Sequence, residues 1–309
     1  MGSHALVYID DVLVYGTDVE DHIDQLDDVL GRIGAAGMSV SRPKCQLFQA
    51  EVKFLGHIVG AAGTRPDPDK VKAMFDMSPP IKNGRADKQL AQVVMGVFNY
   101  YRRYVPNFGA ISEPIVALTK NKSDLVWGPA QQRAFDRLKR AMCDSRIVMH
   151  PDFSLPFVLY TDASKTATAG VLTQFRPVTE VEKATAGQPY ASTGRRRIAE
   201  GEEVREVVVG YFSKLNSEPD AKLAATAVEC LAVVLALNHF RPYIWGNPVT
   251  VVTDAAALRW LLTLQDYNGK LLRWAMRIQE YDVTIQHRPG KRNANADAPF
   301  RLPQQAVRC

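Results

Sequence analysis

A chain of 309 residues, 46% hydrophobic and 23% charged, has room for two or three domains with ordinary apolar cores. Its net charge of +5 excludes a strongly acidic or strongly basic class, and permits a polyanionic partner without requiring one. The four cysteines, at 45, 143, 230 and 309, form no CxxC pair, which excludes a zinc knuckle and fits reduced thiols. With no signal peptide and no apolar run of membrane-spanning length, the expectation is an intracellular protein, cytoplasmic or nuclear, with no membrane partner.

The chain opens on "LVYIDDVLVYG" (6–16), two apolar runs interrupted by Asp10 and Asp11, which predicts strand, tight turn, strand with both carboxylates at the tip. Two adjacent acids repel, so a bound divalent metal is one natural explanation for them. "DVEDHIDQLDDVLGRIGAAG" follows, with Ile23, Leu26, Leu30 and Ile33 on one helical stripe and Gly37 as C-cap. "CQLFQAEVKFLGHIVG" predicts a second hairpin. "RPDPDKVKAMFDM" starts a helix with Asp67 as N-cap and Pro68 at its first position. "DKQLAQVVMGVFNYYRRYV" is a helix ending in an aromatic and basic cluster, stopped by Pro106. "WGPAQQRAFDRLKRAMCDS" is another, with Ala134, Phe135, Leu138 and Met142 on its apolar side.

From about residue 154 the texture changes. "LPFVLYTD", with its continuous apolar run, predicts a buried central strand. "AGVLTQF" and "REVVVGYFS" add two strands, separated by a polar surface insertion or extended hairpin at 176–204. The helix "AKLAATAVECLAVVLALNHF" is apolar on nearly every face and so buried. "NPVTVVTD" is a fourth strand, "AAALRWLL" and "KLLRWAMRIQEY" are short helices, and "YDVTIQH" is a fifth strand. The order β-β-β-α-β-α-α-β describes a mixed sheet covered by helices, an α/β (α+β) class.

Four acids in this second half occupy telling places. Asp162 and Asp254 end the first and fourth strands in matching "LYTD" and "VVTD". If those strands are neighbours, both carboxylates emerge at one sheet edge. Glu229 is the only acid within the apolar helix run 223–237, and Asp297 lies near the end of a basic loop. A buried unpaired carboxylate costs several kcal/mol, so Glu229 needs a partner or a metal. Taken singly, a strand-end aspartate is a turn residue or a helix cap. Four converging carboxylates instead suit two Mg²⁺ ions roughly 4 Å apart, the arrangement of phosphodiester hydrolysis.

"LVYIDDVLVYG", "FLGHIV", "RPDPDKVKAM", "NYYRRYVPNF", "WGPAQQRAFDRLKRAM", "FVLYTDAS", "ECLAVVLALNHFRPYIWG", "TDAAALRWLL", "LRWAMRIQEYDV" and "HRPGKRNANADA" stand in an order that closely resembles the reverse transcriptase–ribonuclease H segment of gypsy-type LTR retrotransposon polyproteins. The resemblance runs from about residue 5 to residue 303, interrupted mainly by the insertion. It implies a remnant of the polymerase palm over 1–65, a helical thumb- or connection-like region over 66–150, and a ribonuclease H-like domain with a mixed five-stranded sheet and flanking helices over 151–303. It makes Asp10 and Asp11 the paired metal-binding aspartates of the palm and "FLGH" its primer grip. That family's polymerase also needs a third aspartate upstream and fingers, which would come from a separate portion, so DNA synthesis by this chain alone is not expected.

The resemblance assigns Asp162, Glu229, Asp254 and Asp297 as metal ligands for two Mg²⁺ ions, or Mn²⁺ in their place. His287 lies where related enzymes carry a group near the leaving oxygen. It either shuttles a proton or merely ends a strand, two readings of equal weight. The implied substrate is the RNA strand of an RNA–DNA hybrid, told apart by its 2′-hydroxyl and gripped through its backbone. Arg102, Arg103 and Tyr104 are candidates for tracking such a duplex, and Arg288, Lys291 and Arg292 for meeting phosphates near the cut. Arg195, Arg196 and Arg197 are ordinary surface charge. Ala255 where the family commonly has histidine, "DAPFR" for "DALSR", and a less glycine-rich turn after Asp162 depart from the pattern. The rival expectation is therefore an inactive, decayed or domesticated nucleic-acid-binding protein.

Overall fold

The computed structural model describes residues 4–120, 126–145, 147–177, 192–199, 202–254 and 269–287. It divides into two units, Met1–Ala61 and Ala62–Cys309.

In the first unit, β1 (Ala5–Tyr8) and β2 (Asp11–Val14) form an antiparallel hairpin with Tyr8 opposite Asp11. The turn is Ile9–Asp10, with Ile9 at φ +53. Only Asp10 therefore occupies the tip. Asp11 is already the first paired residue of β2, a correction to the expectation of two acids at the tip. Helix α1 (Val19–Ala35) starts where Asp18 accepts the Asp21 N–H at 2.9 Å and ends before Gly37, whose φ of +73 lets the chain turn away. A second hairpin pairs β3 (Glu51–Phe54) with β4 (His57–Gly60). The expected stripe on α1 finds no core, since Ile23 is 49% and Leu30 43% exposed. Among the described residues up to 61, only Ile58 is buried.

The second unit opens with β5 (Gly63–Pro66), whose Thr64 exchanges two backbone hydrogen bonds of 2.8 Å with Val148. Asp67 caps α2 (Pro68–Phe75) by accepting the Asp69 N–H, as the sequence predicts. A short hairpin, β6 (Ile81–Lys82) and β7 (Arg85–Ala86), leads to α3 (Lys88–Tyr100), a 3-10 turn at Arg102–Tyr104, α4 (Phe108–Lys120) and α5 (Pro129–Cys143). These helices close over Met74, Phe98, Ile115, Phe135 and Leu138, with Phe98 and Trp127 edge-on to Phe135.

Next comes a mixed sheet of β8 (Phe157–Ala163), β9 (Ala167–Pro177), β10 (Ser192–Ala199), β11 (Glu202–Leu215), β12 (Val249–Thr253) and β13 (Val283–His287). Their spatial order is β10-β11-β9-β8-β12-β13, antiparallel on the β9 side of β8 and parallel on the β12 side. The five expected strands are all present. A sixth, β10, is added from within the insertion, because β11 runs on for 14 residues and offers a long edge to pair.

A short helix, α6 (Glu218–Ala221), precedes the crossover helix α7 (Ala225–Ile244), and α8 (Lys270–Gln279) precedes β13. Phe157, Leu159, Leu172 and Val251 of the sheet meet Val233, Leu237 and Phe240 of α7. Helix α7 is long and apolar enough to cross a membrane, correcting the expectation that no run reaches that length, but more than half of it is buried inside the protein. Its apolarity on all sides is that of a core helix. Cys45 and Cys230 are free, whereas Cys143 is disulfide-bonded, contrary to the expectation of reduced thiols throughout.

Candidate active site

The parallel pairing of β8 and β12 places Tyr160 opposite Val252. Asp162 and Asp254 each stand two residues further on, so both emerge at the same end of the sheet. This juxtaposition fulfils the condition under which the matching "YTD" and "VTD" endings bring two carboxylates together. Glu229, in the second turn of α7, joins them because α7 packs across β8, and its carboxylate accepts the backbone N–H of Ala163.

The electrostatics follow from that crowding. Glu229 is half-buried, and its pKa is pushed up to about 9. Burial contributes most, followed by the negative charges of Asp254 and Asp162 and by a hydrogen bond to the Asp254 side chain. Without a cation the site therefore keeps a proton on Glu229 at neutral pH, since adjacent carboxylates in a half-buried place resist joint ionisation. Glu229 Oε2 and Asp254 Oδ1 are both buried without a hydrogen-bond partner. Orphaned buried oxygens are costly unless something else satisfies them. Hard carboxylate oxygens of this kind suit a divalent cation such as Mg²⁺.

Among the described residues no three His, Cys, Asp or Glu side chains close tightly enough to enclose an ion by themselves. Asp162 reaches Glu229 through its charge while its side chain remains exposed, so the pair Glu229–Asp254 forms the tight part of the site. His287 ends β13 directly opposite Thr253, the residue before Asp254. Asp297, Arg288, Lys291 and Arg292 lie outside the described residues. Arg195, Arg196 and Arg197 fall on β10, with Arg196 opposite Arg205. Asp10 and Asp11 are exposed on the first unit's hairpin.

The cluster at 102–104 does not form one surface patch. Tyr104 is 3% exposed, and its hydroxyl donates to Thr64 Oγ1 at 3.2 Å, which corrects its expected place against nucleic acid. The aromatic ring is needed in the helical core. Arg102 is half-buried and donates to the Ser213 carbonyl at 2.7 Å, tying the 3-10 turn to the end of β11. Arg103 lies over the Tyr104 ring at 5.6 Å. Sequence reasoning missed the Ala163 N–H that holds Glu229, since a backbone donor leaves no residue signature. It also missed Thr161, whose buried hydroxyl beside Asp162 lacks a hydrogen-bond partner.

Residues 152–281 match the family model of the RNase H-like domain found in reverse transcriptase, and residues 1–59 match that of reverse transcriptase, an RNA-dependent DNA polymerase. The chain is 30% identical over 303 residues to a retrovirus-related Pol polyprotein from transposon 297 of Drosophila melanogaster, a match covering 98% of this chain and 25% of that protein. It is 27% identical over 304 residues to the Tf2-3 transposon polyprotein of Schizosaccharomyces pombe, covering 97% of this chain and 21% of that one. The chain thus spans about a quarter of the length of these relatives.

A foamy viral protease–reverse transcriptase solved in complex with an RNA/DNA hybrid superposes with a TM-score of 0.71 at 19% identity, covering 99% of this chain and 38% of that one. The same type of protein in complex with double-stranded DNA gives 0.70 at 19% identity, over 92% of this chain and 46% of that one. At this level of identity the likeness establishes the mixed α/β fold. Two domain matches in one order, with relatives that align along nearly the whole chain, lead to one assignment: the chain belongs to the reverse transcriptase–RNase H family of retrotransposon Pol polyproteins.

Proposed function

We propose that this chain is a segment of a gypsy-type retrotransposon polyprotein that cleaves the RNA strand of an RNA–DNA hybrid endonucleolytically. The observation that carries the proposal is the Glu229–Asp254 pair, held at one sheet end beside Asp162 with two buried carboxylate oxygens left without partners. Asp162, Glu229 and Asp254, with Asp297, would hold two Mg²⁺ ions or Mn²⁺ in their place. When bound, those ions activate a water and neutralise charge on the leaving oxygen.

The protein's own groups then divide the remaining work. The Ala163 N–H orients Glu229, which together with Asp254 would hold the cation. His287, at the neighbouring strand end, is placed to pass a proton to the leaving oxygen. We assign 1–65 to the palm, with Asp10 and Asp11 as its metal-binding pair, 66–150 to a thumb-like section, and 151–303 to the ribonuclease H-like domain. Arg103, half-buried over the Tyr104 ring, is the remaining candidate of that cluster for meeting a duplex backbone.

One observation favours the rival reading, an inactive nucleic-acid-binding protein: the described residues alone form no three-donor metal cluster. Cleavage of a labelled RNA strand separates the two readings. Hybrid-only cutting that needs Mg²⁺ or Mn²⁺ and disappears in Asp254→Asn supports the enzyme. Well-folded protein that binds the hybrid without cutting it, or equal cutting by the variant, sinks it.

A further inference from the structure

Thr161 is a polar side chain that the fold buries without using. It is 3% exposed, and its Oγ1 has no hydrogen-bond partner. A hydroxyl kept from water and left unbonded costs stability, so a native fold retains one where it serves some other end. Valine has the same β-branched shape and would fill this place on a strand without that cost.

The strand pattern fixes which way Thr161 faces. Alternate residues of a strand share a face, and Phe157 and Leu159 of β8 pack into the core beneath α7. Thr161 and Ala163 continue that row, so Thr161 is the one side-chain donor that β8 offers to the helix. Its partner on β9, Gly170, has no side chain to meet it, and a Cβ added there would lie 3.0 Å from Ala236 Cβ of α7. The helix therefore runs close over this spot. Val233 and Ala236 cover the sheet with apolar atoms, and Glu229, one turn before Val233, is the only carboxylate on α7. Strand and helix thus bring one unused donor and one unused acceptor to the same contact, Thr161 Oγ1 and Glu229 Oε2. The Glu229 carboxylate is already held at this strand by the N–H of Ala163, two residues on from Thr161. It also shares a hydrogen bond with the Asp254 side chain, which a cation between the two would replace.

We propose that Thr161 is a positioning residue for the cation site: its hydroxyl hydrogen-bonds the Glu229 carboxylate and, with the Ala163 N–H, holds it toward Asp254. The inference rests on the cation reading given above and adds to it a residue that does not touch the ion. Groups that hold a metal ligand from behind set its orientation, and affinity falls when they are removed. The unbonded hydroxyl is then a stability cost carried for the sake of binding. Removing it moves the two properties in opposite directions, which a purely structural threonine does not do.

The test uses the full chain and two variants. Thr161→Val removes the hydroxyl and keeps the shape, whereas Thr161→Ser keeps the hydroxyl. Mn²⁺ uptake at neutral pH is followed by electron paramagnetic resonance, and thermal melts in EDTA report the stability of each protein without metal. Thr161→Val is expected to bind Mn²⁺ roughly 10- to 100-fold more weakly than wild type. It is also expected to melt at the wild-type temperature or up to about 4 °C above it. Thr161→Ser is expected to bind Mn²⁺ much as wild type does. A valine variant that binds like wild type overturns the inference and leaves the cation reading standing. A valine variant that melts below wild type overturns it too, because the hydroxyl is then bonded within the fold. A serine variant that binds as weakly as valine does the same, because the methyl group and not the hydroxyl is then at issue. A wild type that takes up no Mn²⁺ overturns the cation reading and this inference together.

Discussion

Glu229 is subject to two opposing demands. Its place on a core helix draws it out of water, while its neighbours Asp254 and Asp162 carry the same charge. The pH dependence of stability follows from this. The folded-state pKa, about 9, lies above the ordinary glutamate value of 4.5, so the folded state binds the proton more tightly than the unfolded chain does. Stability from this group is complete below pH 4.5 and is lost progressively as pH rises through 9. Metal-free wild type is expected to melt at a lower temperature at pH 9 than at pH 6, and Glu229→Gln to lose much less over that interval. Thermal melts in EDTA check this, and an equal loss in the variant would contradict it.

In the helical core, Phe98 is fully buried against Phe135, so Phe98→Ala is expected to cost ~3–5 kcal/mol in denaturant unfolding. Asp162, Asp254 and Glu229 were legible from the sequence because strand-end acids and a lone acid in an apolar helix both break a pattern. Tyr104 was not. A tyrosine directly after two arginines looks like a surface residue until Thr64, 40 positions away, supplies its hydroxyl partner.

Among the elements, those with local causes were readable. Asp67 and Pro68 begin α2 at the expected place because a cap and a fixed φ act within a few residues. Elements decided by pairing were legible only in part. The sixth strand is the other arm of a hairpin with β11, Ala199 opposite Glu202, as the extended-hairpin reading of the insertion allows, although periodicity does not mark the polar run around Arg196 as strand. The close approach of α4 to β11 was equally hidden. There Gly109 donates its N–H to Ser213 Oγ at 2.9 Å, and an added Cβ would lie 2.9 Å from that oxygen and 3.2 Å from the Lys214 carbonyl carbon. Gly109→Ala is accordingly expected to destabilise the second unit by ~1–3 kcal/mol, the cost of forcing α4 off the strand. An unchanged denaturation midpoint would show that the contact is looser than these distances indicate.

At the scale of the whole molecule, the two units differ sharply in what holds them. The second has an extensive core around Phe157, Leu237 and Phe240, while the described residues up to 61 bury only Ile58. A lone two-stranded hairpin such as β1–β2 is marginal in water. Amide hydrogens of residues 4–61 are therefore expected to exchange well before those of β8 and α7, as hydrogen-exchange mass spectrometry would show. The apolar stripe on α1 was legible as a pattern, but whether anything covers it is a property of the whole fold, which local periodicity does not report.

Whether Glu229 and Asp254 together hold a divalent cation can be read from Mn²⁺ binding followed by electron paramagnetic resonance. Wild type at pH 7.5 is expected to take up Mn²⁺, and both Asp254→Asn and Glu229→Gln to leave it largely free at the same concentrations. Equal uptake by wild type and both variants would place the metal elsewhere and contradict the claim.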